Sequence, residues 1–438
     1  IRHSVFTELG GIDAARFPLV HGALDLCLRT GALGHKIVWT PYSALVHYGG
    51  VSIVARQRKP EGRMADHLVA TRANETLLER WLPRLIHDPA YNRNLSLSVP
   101  YTPEHIAPTD WDPNFHDRPR ILAAPVPGGA GEYRLRAPLR IIGQAGLAQS
   151  MICEPPKAFT MRILSPVEVA RAQPDVLILH QPLEDNQSDA IENYARFLPD
   201  VRRILTVDDL VTELPKKHPL YKSGYKDGRQ RLRKNLSYVH RLVVSTQPLA
   251  DLCADMIDDI LVMPNCLEWA LWGDVVPPHL PRRKPRVGWA GAQQHQGDLE
   301  LIYPVVEALA DEVDWIFMGM CPDPLKPFVH ESHGFELDFR AYPKALARLD
   351  LDLAIAEALK VPLAKVRAHV ADLASSGDLI CCNATQFVNG VAIEGISCRP
   401  SCYTPPPARG RKPGVKKTAA SSSRTRILRV VDFKDMLF

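Results

Sequence analysis

The chain has 438 residues, of which 46% are hydrophobic and 23% are charged, with 38 Pro, 26 Gly and a formal net charge of +4. This composition indicates a globular protein with two or three cores, and it excludes collagen-like, coiled-coil and wholly disordered chains. No stretch is apolar for long enough to span a bilayer and no signal peptide is recognised, so we expect no transmembrane segment and a cytoplasmic location. Because the first residue is not Met, we also expect a fragment or a processed product.

The nine Cys are odd in number and unpatterned, which is typical of reduced thiols and not of a disulfide framework. The last four of them cluster without the paired spacing of zinc ligands, so we predict no metal site. The charge is distributed unevenly. Residues 399–431 contain nine Lys or Arg and no Asp or Glu, and the rest of the chain is mildly acidic.

The first 118 residues do not show an α/β alternation. Residues 1–55 are rich in Gly and aromatic residues, and Val38-Trp39-Thr40-Pro41 predicts a short strand. Apolar residues at three- and four-residue steps predict one amphipathic helix over residues 60–86. Residues 88–118 have many Pro, Asn and Asp and no sustained period, so they predict a connector.

From residue 119, short apolar runs alternate with helical periods, which is the pattern of parallel strands joined by helices. The predicted strands are 120–124, 175–179, 203–207, 241–245 and 260–263. The predicted crossover helices are 133–145, 189–197 and 230–239. The sequence therefore predicts one doubly wound domain in this region.

A second α/β unit follows the Pro- and Arg-rich link at 277–285. It consists of predicted strands at 286–291, 315–319 and 351–356, with a helix over 298–309. Two such units joined by a short link predict a ligand cleft between them. After residue 356 the pattern changes to a helix over 363–375 and a hairpin of Leu379–Cys382 with Val391–Ser397, followed by the basic tail.

Candidate ligand-binding residues follow the predicted strands. Gly128, Gly129 and Gly131 follow the first strand, where backbone amides and a helix N-terminus suit a phosphate or a sugar; a tight, closely packed turn explains them equally well. His180 ends another strand, where it either orients or deprotonates a hydroxyl or serves as a hydrogen-bonded structural histidine.

An acidic pair, Asp208 and Asp209, also ends a predicted strand. Paired carboxylates at this edge suit a metal ion or a sugar hydroxyl. Capping of a following helix is the alternative explanation.

In the order and spacing of these features, residues 118–356 resemble a nucleotide-sugar-dependent glycosyltransferase of the two-lobed GT-B type, as found in bacterial surface-polysaccharide and O-antigen assembly. Besides the glycine loop and the acidic pair, the matching motifs are 243–246, 262–265 and above all Val287-Gly288-Trp289-Ala290-Gly291. The resemblance implies a nucleotide-sugar donor and a saccharide acceptor as partners, and no cofactor. The sequence departs from this family after Ala356, where other residues take the place of the acidic donor-binding motif.

The resemblance also implies roles for individual residues. Gly128, Gly129, Gly131 and Gly291 would approach the donor through backbone amides, and His180 would be the catalytic base or the orienting residue. The other implied substrate-binding residues are Arg134 as an anion contact, Asp208, Asp209, and Asn265 in the interdomain cleft.

Residues 1–55 separately resemble the closing part of an inverting GT-A glycosyltransferase. The matching motifs are Gly10-Gly11-Ile12-Asp13, Leu24–Arg29, Gly34–Pro41 and Leu45-Val46-His47. In that family the nucleotide-binding half and the metal-binding Asp-x-Asp would precede residue 1, and Ala23 occupies the position of the expected acid. We therefore expect this module to be inactive.

The C-terminal region resembles a small winged-helix DNA-binding module, and an ordinary helix-and-hairpin cap is the alternative. Arg409, Arg411 and Lys412 lie in a segment that resembles an AT-hook, whose Arg-Gly-Arg core enters the minor groove of A·T-rich DNA. A solvated disordered tail and a peripheral membrane contact are further alternatives. For the whole chain, a glycosyltransferase and a nucleic-acid-binding protein are the first two possibilities. A nonfunctional fusion created by gene rearrangement is the third.

The expected fold is therefore α/β, with two Rossmann-like lobes of GT-B type, the second incomplete, an N-terminal GT-A remnant and a small C-terminal α+β segment. The predicted domains are 1–55 (GT-A remnant), 56–118 (helical linker and connector), 119–276 (first lobe), 285–356 (partial second lobe), 357–398 (helix-hairpin segment) and 399–438 (basic tail).

Overall fold

The structure is a computed structural model of the chain. It describes residues 1–38, 40–42, 44, 46, 60–104, 110–154, 161–182, 184–210, 212, 227–278, 280–281, 284–291, 296–355, 380–382, 386–388 and 391–393. It is an α/β structure with two parallel sheets in two lobes, as the sequence predicts.

The N-terminal segment packs against one long helix. Its helices are α1 (His3–Glu8), α2 (Gly22–Ala32) and α3 (Pro60–Ile86), and α3 confirms the amphipathic helix predicted over the same residues. Phe17 packs against Ala73 and Leu77 of α3 in a small apolar core. Leu82, also on α3, packs against the core of the first lobe, so the helix joins the N-terminal segment to that lobe.

A buried carboxylate strengthens this packing. Asp25 of α2 is fully buried and accepts hydrogen bonds from Arg29 Nε at 2.8 Å, Trp81 Nε1 at 3.0 Å and Arg80 Nη1 at 3.2 Å. Burial alone would raise the pKa of Asp25, but these donors outweigh it and hold the pKa below its ordinary value. The carboxylate of Asp25 thus ties α2 to α3.

The strand predicted over Val38–Pro41 is wrong in the described part. Val38, Thr40 and Pro41 have no strand structure, and Trp39 lies outside the described residues. A β-branched and aromatic run favours a strand only when a neighbouring strand is there to pair with it. No described residue from 1 to 104 belongs to a strand.

The first lobe contains a six-stranded parallel sheet. Its strands are β1 (Arg120–Ala124), β2 (Gln149–Ile152), β3 (Val176–His180), β4 (Arg202–Val207), β5 (Arg241–Val244) and β6 (Ile260–Val262). They lie in the order β2-β1-β3-β4-β5-β6. The strand order therefore reverses between β1 and β3. In open parallel sheets, ligands bind at such a switch point, beyond the carboxyl ends of the strands.

Helices cover both faces of this sheet. A continuous helical stretch after β1 consists of α4 (Gly128–Gly131), a π-helical turn (Glu132–Arg136) and α5 (Ala137–Gln144). The other helices of the lobe are α6 (Pro166–Ala172), α7 (Asp185–Phe197), α8 (Gly228–Leu236), α9 (Gln247–Cys253) and α10 (Trp269–Trp272). Side chains alternate along β1, so Ile121 and Leu122 belong to two different cores on opposite faces.

The second lobe contains a five-stranded parallel sheet. Its first four strands are β7 (Arg286–Gly291), β8 (Asp314–Gly319), β9 (Glu331–His333) and β10 (Leu353–Ile355), and its helices are α11 (Gln296–Ala308) and α12 (Tyr342–Arg348). The order is β11-β10-β7-β8-β9, so the strand order reverses between β7 and β10. Trp289, Trp315 and Phe317 fill the core on one face.

The predicted C-terminal hairpin is paired differently in the structure. The fifth strand of the second sheet, β11 (Ile380–Cys382), pairs in parallel with β10, so it does not pair with residues 391–397. The hairpin consists instead of β12 (Gln386–Val388) and β13 (Val391–Ile393). The second sheet therefore includes a strand beyond residue 356. The helix predicted over 363–375 and the basic tail lie outside the described residues, and the domain boundaries stay predictions.

The two lobes contact each other through loops at the carboxyl edges of their sheets. Phe339, in the segment between β9 and α12, lies against Gly129, in the turn after β1. Nearby, the rings of Trp272 and Tyr342 meet edge to face with their centroids 6.2 Å apart. The glycine turn of the first lobe thus faces the second lobe.

Candidate functional site

A network of polar side chains lies at the carboxyl edge of the first sheet. His180 ends β3 and Asp208 follows β4, and the two strands are neighbours. Nε2 of His180 lies 3.2 Å from Oδ1 of Asp208. The two residues lie close together because the carboxyl ends of neighbouring parallel strands lie at one edge of the sheet.

Both ring nitrogens of His180 are engaged. The backbone N–H of Val126 points to Nδ1 at 3.5 Å, so Nδ1 is the acceptor and Nε2 carries the proton that it donates to Asp208. The side chain is fully buried, and this burial lowers the pKa of His180, so the ring is neutral at pH 7. Because both nitrogens are engaged within the protein, the geometry favours the alternative of a hydrogen-bonded structural histidine that holds Asp208; a catalytic role of His180 stays a prediction.

The carboxylate of Asp208 is held by two donors. Besides His180, Nε2 of Gln181 donates to Oδ1 at 2.5 Å, and Gln181 has a left-handed backbone with φ of 46°. Burial by itself would raise the pKa of Asp208, but the hydrogen bond from His180 and the charge of Arg134 outweigh it and lower the pKa. Asp208 is therefore an ionised acceptor at neutral pH, whereas its neighbour Asp209 is exposed to solvent.

Arg134 ties three elements together. Its guanidinium donates to Oγ1 of Thr206 at 3.0 Å, to Oδ1 of Asn265 at 3.2 Å and to the carbonyl oxygen of Met263. The side chain is buried, which lowers the pKa of Arg134 to about 10. These bonds join the π-helical turn to β4 and to the segment after β6. The predicted contact of Arg134 with an anion stays a prediction.

Glycine occupies positions 128 and 131, both after β1, for different structural reasons. Gly128 has φ of +82°, a left-handed conformation that favours glycine, and no heavy atom lies within 4 Å of where its Cβ would be. Gly131 is required for close packing, since a Cβ there would lie 1.9 Å from the carbonyl oxygen of Val126. The two explanations considered for this loop therefore apply to different residues: Gly128 borders open space and Gly131 packs tightly.

The second lobe places another glycine pair at its own carboxyl edge. Gly291 ends β7 and Gly319 ends β8, and a Cβ on Gly319 would lie 2.3 Å from the carbonyl oxygen of Gly291. Gly291 therefore belongs to a different sheet from the network around Asp208.

Sequence reasoning missed several members of this site. Gln181 directly follows His180 and Thr206 lies two residues before Asp208, so hydroxyl and amide groups close to the predicted residues were the available signal. Ser245, which donates to the carbonyl oxygen of Asp208 at 3.0 Å, ends a predicted strand in the same way. No sequence pattern pointed to Phe339, because its contact with Gly129 depends on how the lobes pack.

The remaining predictions concern metal ligands, nucleic-acid contacts and membrane spans. Within the part of the chain that the structure describes, no three His, Cys, Asp or Glu side chains come together as metal ligands. Arg409, Arg411 and Lys412 lie outside the described residues. None of the described helices has the length and apolar character needed to cross a bilayer.

Comparison with known proteins finds distant likenesses. No family model matches the chain. The uncharacterized protein y4gI of Sinorhizobium fredii is 32% identical over 97 residues, which are 22% of this chain and 10% of that protein. The chain therefore spans about a tenth of the length of this curated relative.

Similar solved structures include an alpha-glucosyltransferase in complex with UDP and DNA, with a TM-score of 0.39 and 9% identity over 59% of this chain and 91% of that chain. Sucrose-phosphate synthase from Thermosynechococcus elongatus has a TM-score of 0.36 and 10% identity over 54% of this chain and 74% of that one. The calicheamicin glycosyltransferase CalG4 has a TM-score of 0.27 and 14% identity, covering 59% and 90%. Likeness at this level does not by itself carry a function to this chain.

Proposed function

We propose that the chain is a GT-B-type glycosyltransferase that uses a nucleotide-sugar donor and a saccharide acceptor. One observation carries the proposal. At the switch point of the first sheet, the glycine turn after β1 and His180 at the end of β3 lie together, linked by the contact of Val126 with His180. The same turn faces the second lobe at Phe339. A ligand at this position would be held between two parallel sheets.

The proposal assigns roles by chemistry. The amides of Gly128 and Gly129, at the start of a long helical stretch, suit the diphosphate of the donor, and Gly291 would approach the donor from the second lobe. Asp208, ionised and oriented by His180, suits a hydrogen bond from an acceptor hydroxyl. In the transfer, the anomeric carbon forms a bond to the acceptor oxygen, the nucleoside diphosphate leaves with the electron pair of the broken bond, and the hydroxyl proton passes to the carboxylate of Asp208 and from there to water.

The finer parts of the proposal depend on the resemblance of residues 118–356. It favours an acceptor of the surface-polysaccharide or O-antigen type, and the cytoplasmic location expected from the sequence stays a prediction. The remnant character of residues 1–55 also depends on resemblance alone. The donor-binding segment expected after Ala356 lies outside the described residues.

Nucleotide-sugar binding and turnover test the proposal. The full chain is titrated by calorimetry with UDP-, GDP- and dTDP-sugars, and release of free nucleotide is followed with saccharide acceptors. We expect at least one donor to bind, and Asp208→Asn to reduce transfer by about 10²-fold or more, the scale of an oriented polar group at a reacting centre. Asp200→Asn is the matched control, because this exposed aspartate lies just before β4, at the other end of the sheet from Asp208. Absence of binding by every donor contradicts the proposal.

The basic tail favours a second candidate function, binding of nucleic acid. Nine cations without an acid over residues 399–431 would attract a polyanion in a salt-dependent way. Binding of A·T-rich duplex that weakens with salt and is lost on deletion of residues 399–438 would support this function. Duplex binding that survives the deletion would contradict it.

A further inference from the structure

A cavity of about 800 Å³ lies outside the network around Asp208. Its walls come from the carboxyl end of α3, from the connector at residues 88–104 and from α6 with its flanking residues. This volume lies within the range of about 300–1,000 Å³ that is typical of small-ligand sites. None of the residues that line it takes part in the site proposed above.

Two tyrosines form the aromatic wall of the cavity. The ring centroids of Tyr91 and Tyr101 are 6.3 Å apart. Tyr101 has φ of 62°, a left-handed conformation that is unfavourable for an aromatic residue, and yet it is 84% exposed. Its backbone N–H donates to the hydroxyl of Tyr91 at 3.2 Å, and that hydroxyl donates to the carbonyl oxygen of Ser96 at 2.6 Å. The connector therefore holds an exposed ring at the cavity despite the strain.

Charged groups of both signs line the rest of the wall. Arg93, Arg171 and His87 supply N–H groups, and Asp88, Glu104 and Glu168 supply carboxylates. Oε2 of Glu168 accepts from the backbone N–H of Ser165 at 2.7 Å. Its other oxygen is buried and accepts no hydrogen bond from a described residue, although Nη2 of Arg162 lies 3.6 Å away as an ion-pair partner. The cavity thus combines an exposed aromatic ring with groups of both charges.

This combination selects among classes of ligand. The three carboxylates outnumber the two arginines and so oppose a phosphate-bearing ligand, and the charged groups of both signs are poorly matched to a purely apolar one. A neutral saccharide fits both features, because its hydroxyls donate and accept hydrogen bonds and the C–H face of a sugar ring packs on an aromatic ring. We propose that this cavity is a saccharide-binding site separate from the site at the carboxyl edge of the first sheet.

Calorimetric titration of the full chain without nucleotide tests this proposal, with maltotetraose, cellotetraose and chitotetraose as probes. We expect at least one of them to bind, and Tyr101→Gly to weaken that binding by about tenfold through loss of the aromatic contact. Glycine relieves the left-handed backbone at this position, so the variant should fold at least as stably as the parent. Tyr101→Phe keeps the ring and should bind like the parent.

Two controls locate the site. Tyr42→Ala removes a 97% exposed tyrosine outside the cavity and should leave binding unchanged. Asp208→Asn should also leave it unchanged, which separates this cavity from the acceptor position proposed above. The inference is overturned if none of the probes binds, if Tyr101→Gly binds like the parent, or if binding is lost with Asp208→Asn. Failure of every nucleotide sugar to bind would leave these outcomes unaffected.

Discussion

His180 and Asp208 end neighbouring strands and face each other, with Nε2 of the histidine 3.2 Å from Oδ1 of the aspartate. The backbone N–H of Val126 occupies the other ring nitrogen. The imidazole is therefore held in one tautomer and has no free nitrogen for a substrate. Asp208 is the member of this pair whose side chain reaches solvent, being 8% exposed against 0% for His180.

The burial of His180 predicts a pH-dependent stability. Because the pKa of His180 is lowered below 6.5, the unfolded chain binds more protons at this residue than the folded chain does just below that pH. Its contribution to stability is complete above about pH 6.5 and is lost as the pH falls, by up to about 1.4 kcal/mol per pH unit. We expect the free energy of unfolding, measured in urea, to fall more steeply for the parent than for His180→Gln between about pH 7.5 and pH 5.5.

The matched control for this experiment is His3→Gln, because His3 is exposed. This variant should follow the parent at both pH values. Equal pH slopes for the parent and His180→Gln would contradict the prediction.

Arg134 is expected to act as a positioning residue. Arg134→Met removes the donor to the buried carbonyl oxygen of Met263 and to Thr206, so we expect the free energy of unfolding to fall by about 1–3 kcal/mol. Chemical denaturation measures this loss. Arg118→Met, at a side chain 46% exposed, should change stability by less than about 0.5 kcal/mol. If Arg134 served only as an anion contact, nucleotide binding would weaken while stability stayed the same.

Close packing at Gly131 predicts a strong effect of one methyl group. In Gly131→Ala the new Cβ would meet the carbonyl oxygen of Val126 and the guanidinium of Arg136, at 1.9 and 2.5 Å in the unrelaxed structure. We expect a loss of about 1–3 kcal/mol in the free energy of unfolding, as for overpacked sites.

Gly143 offers the matched control for Gly131. It lies in α5, and a Cβ there would make only an ordinary contact, 3.7 Å from Oγ of Ser150. Gly143→Ala should therefore stabilise the chain by up to about 1 kcal/mol through helix propensity. Thermal unfolding of both variants measures the difference, and equal midpoints would contradict the packing argument.

Strands buried on both faces were predictable from their residues alone. The bounds of β1 and β7 agree with the sequence prediction, and those of β3 to β5 differ by about one residue, because parallel strands covered by helices are continuous apolar runs. The strand β2 was missed, since its residues are half-buried and partly polar at the sheet edge. The edge strand β9 was missed for the same reason: Glu331, Ser332 and His333 carry no apolar run.

Local composition thus established two α/β units and placed His180 and Asp208 at strand ends, because apolar runs and the residues that end them are features of short segments. Strand order, the switch point between β1 and β3, and the pairing of β11 with β10 depended on contacts between residues far apart in the chain. The same is true of the burial of Arg134 and of the meeting of Phe339 with Gly129. Such contacts form only when the whole chain packs, so they have no signature in any single stretch of residues.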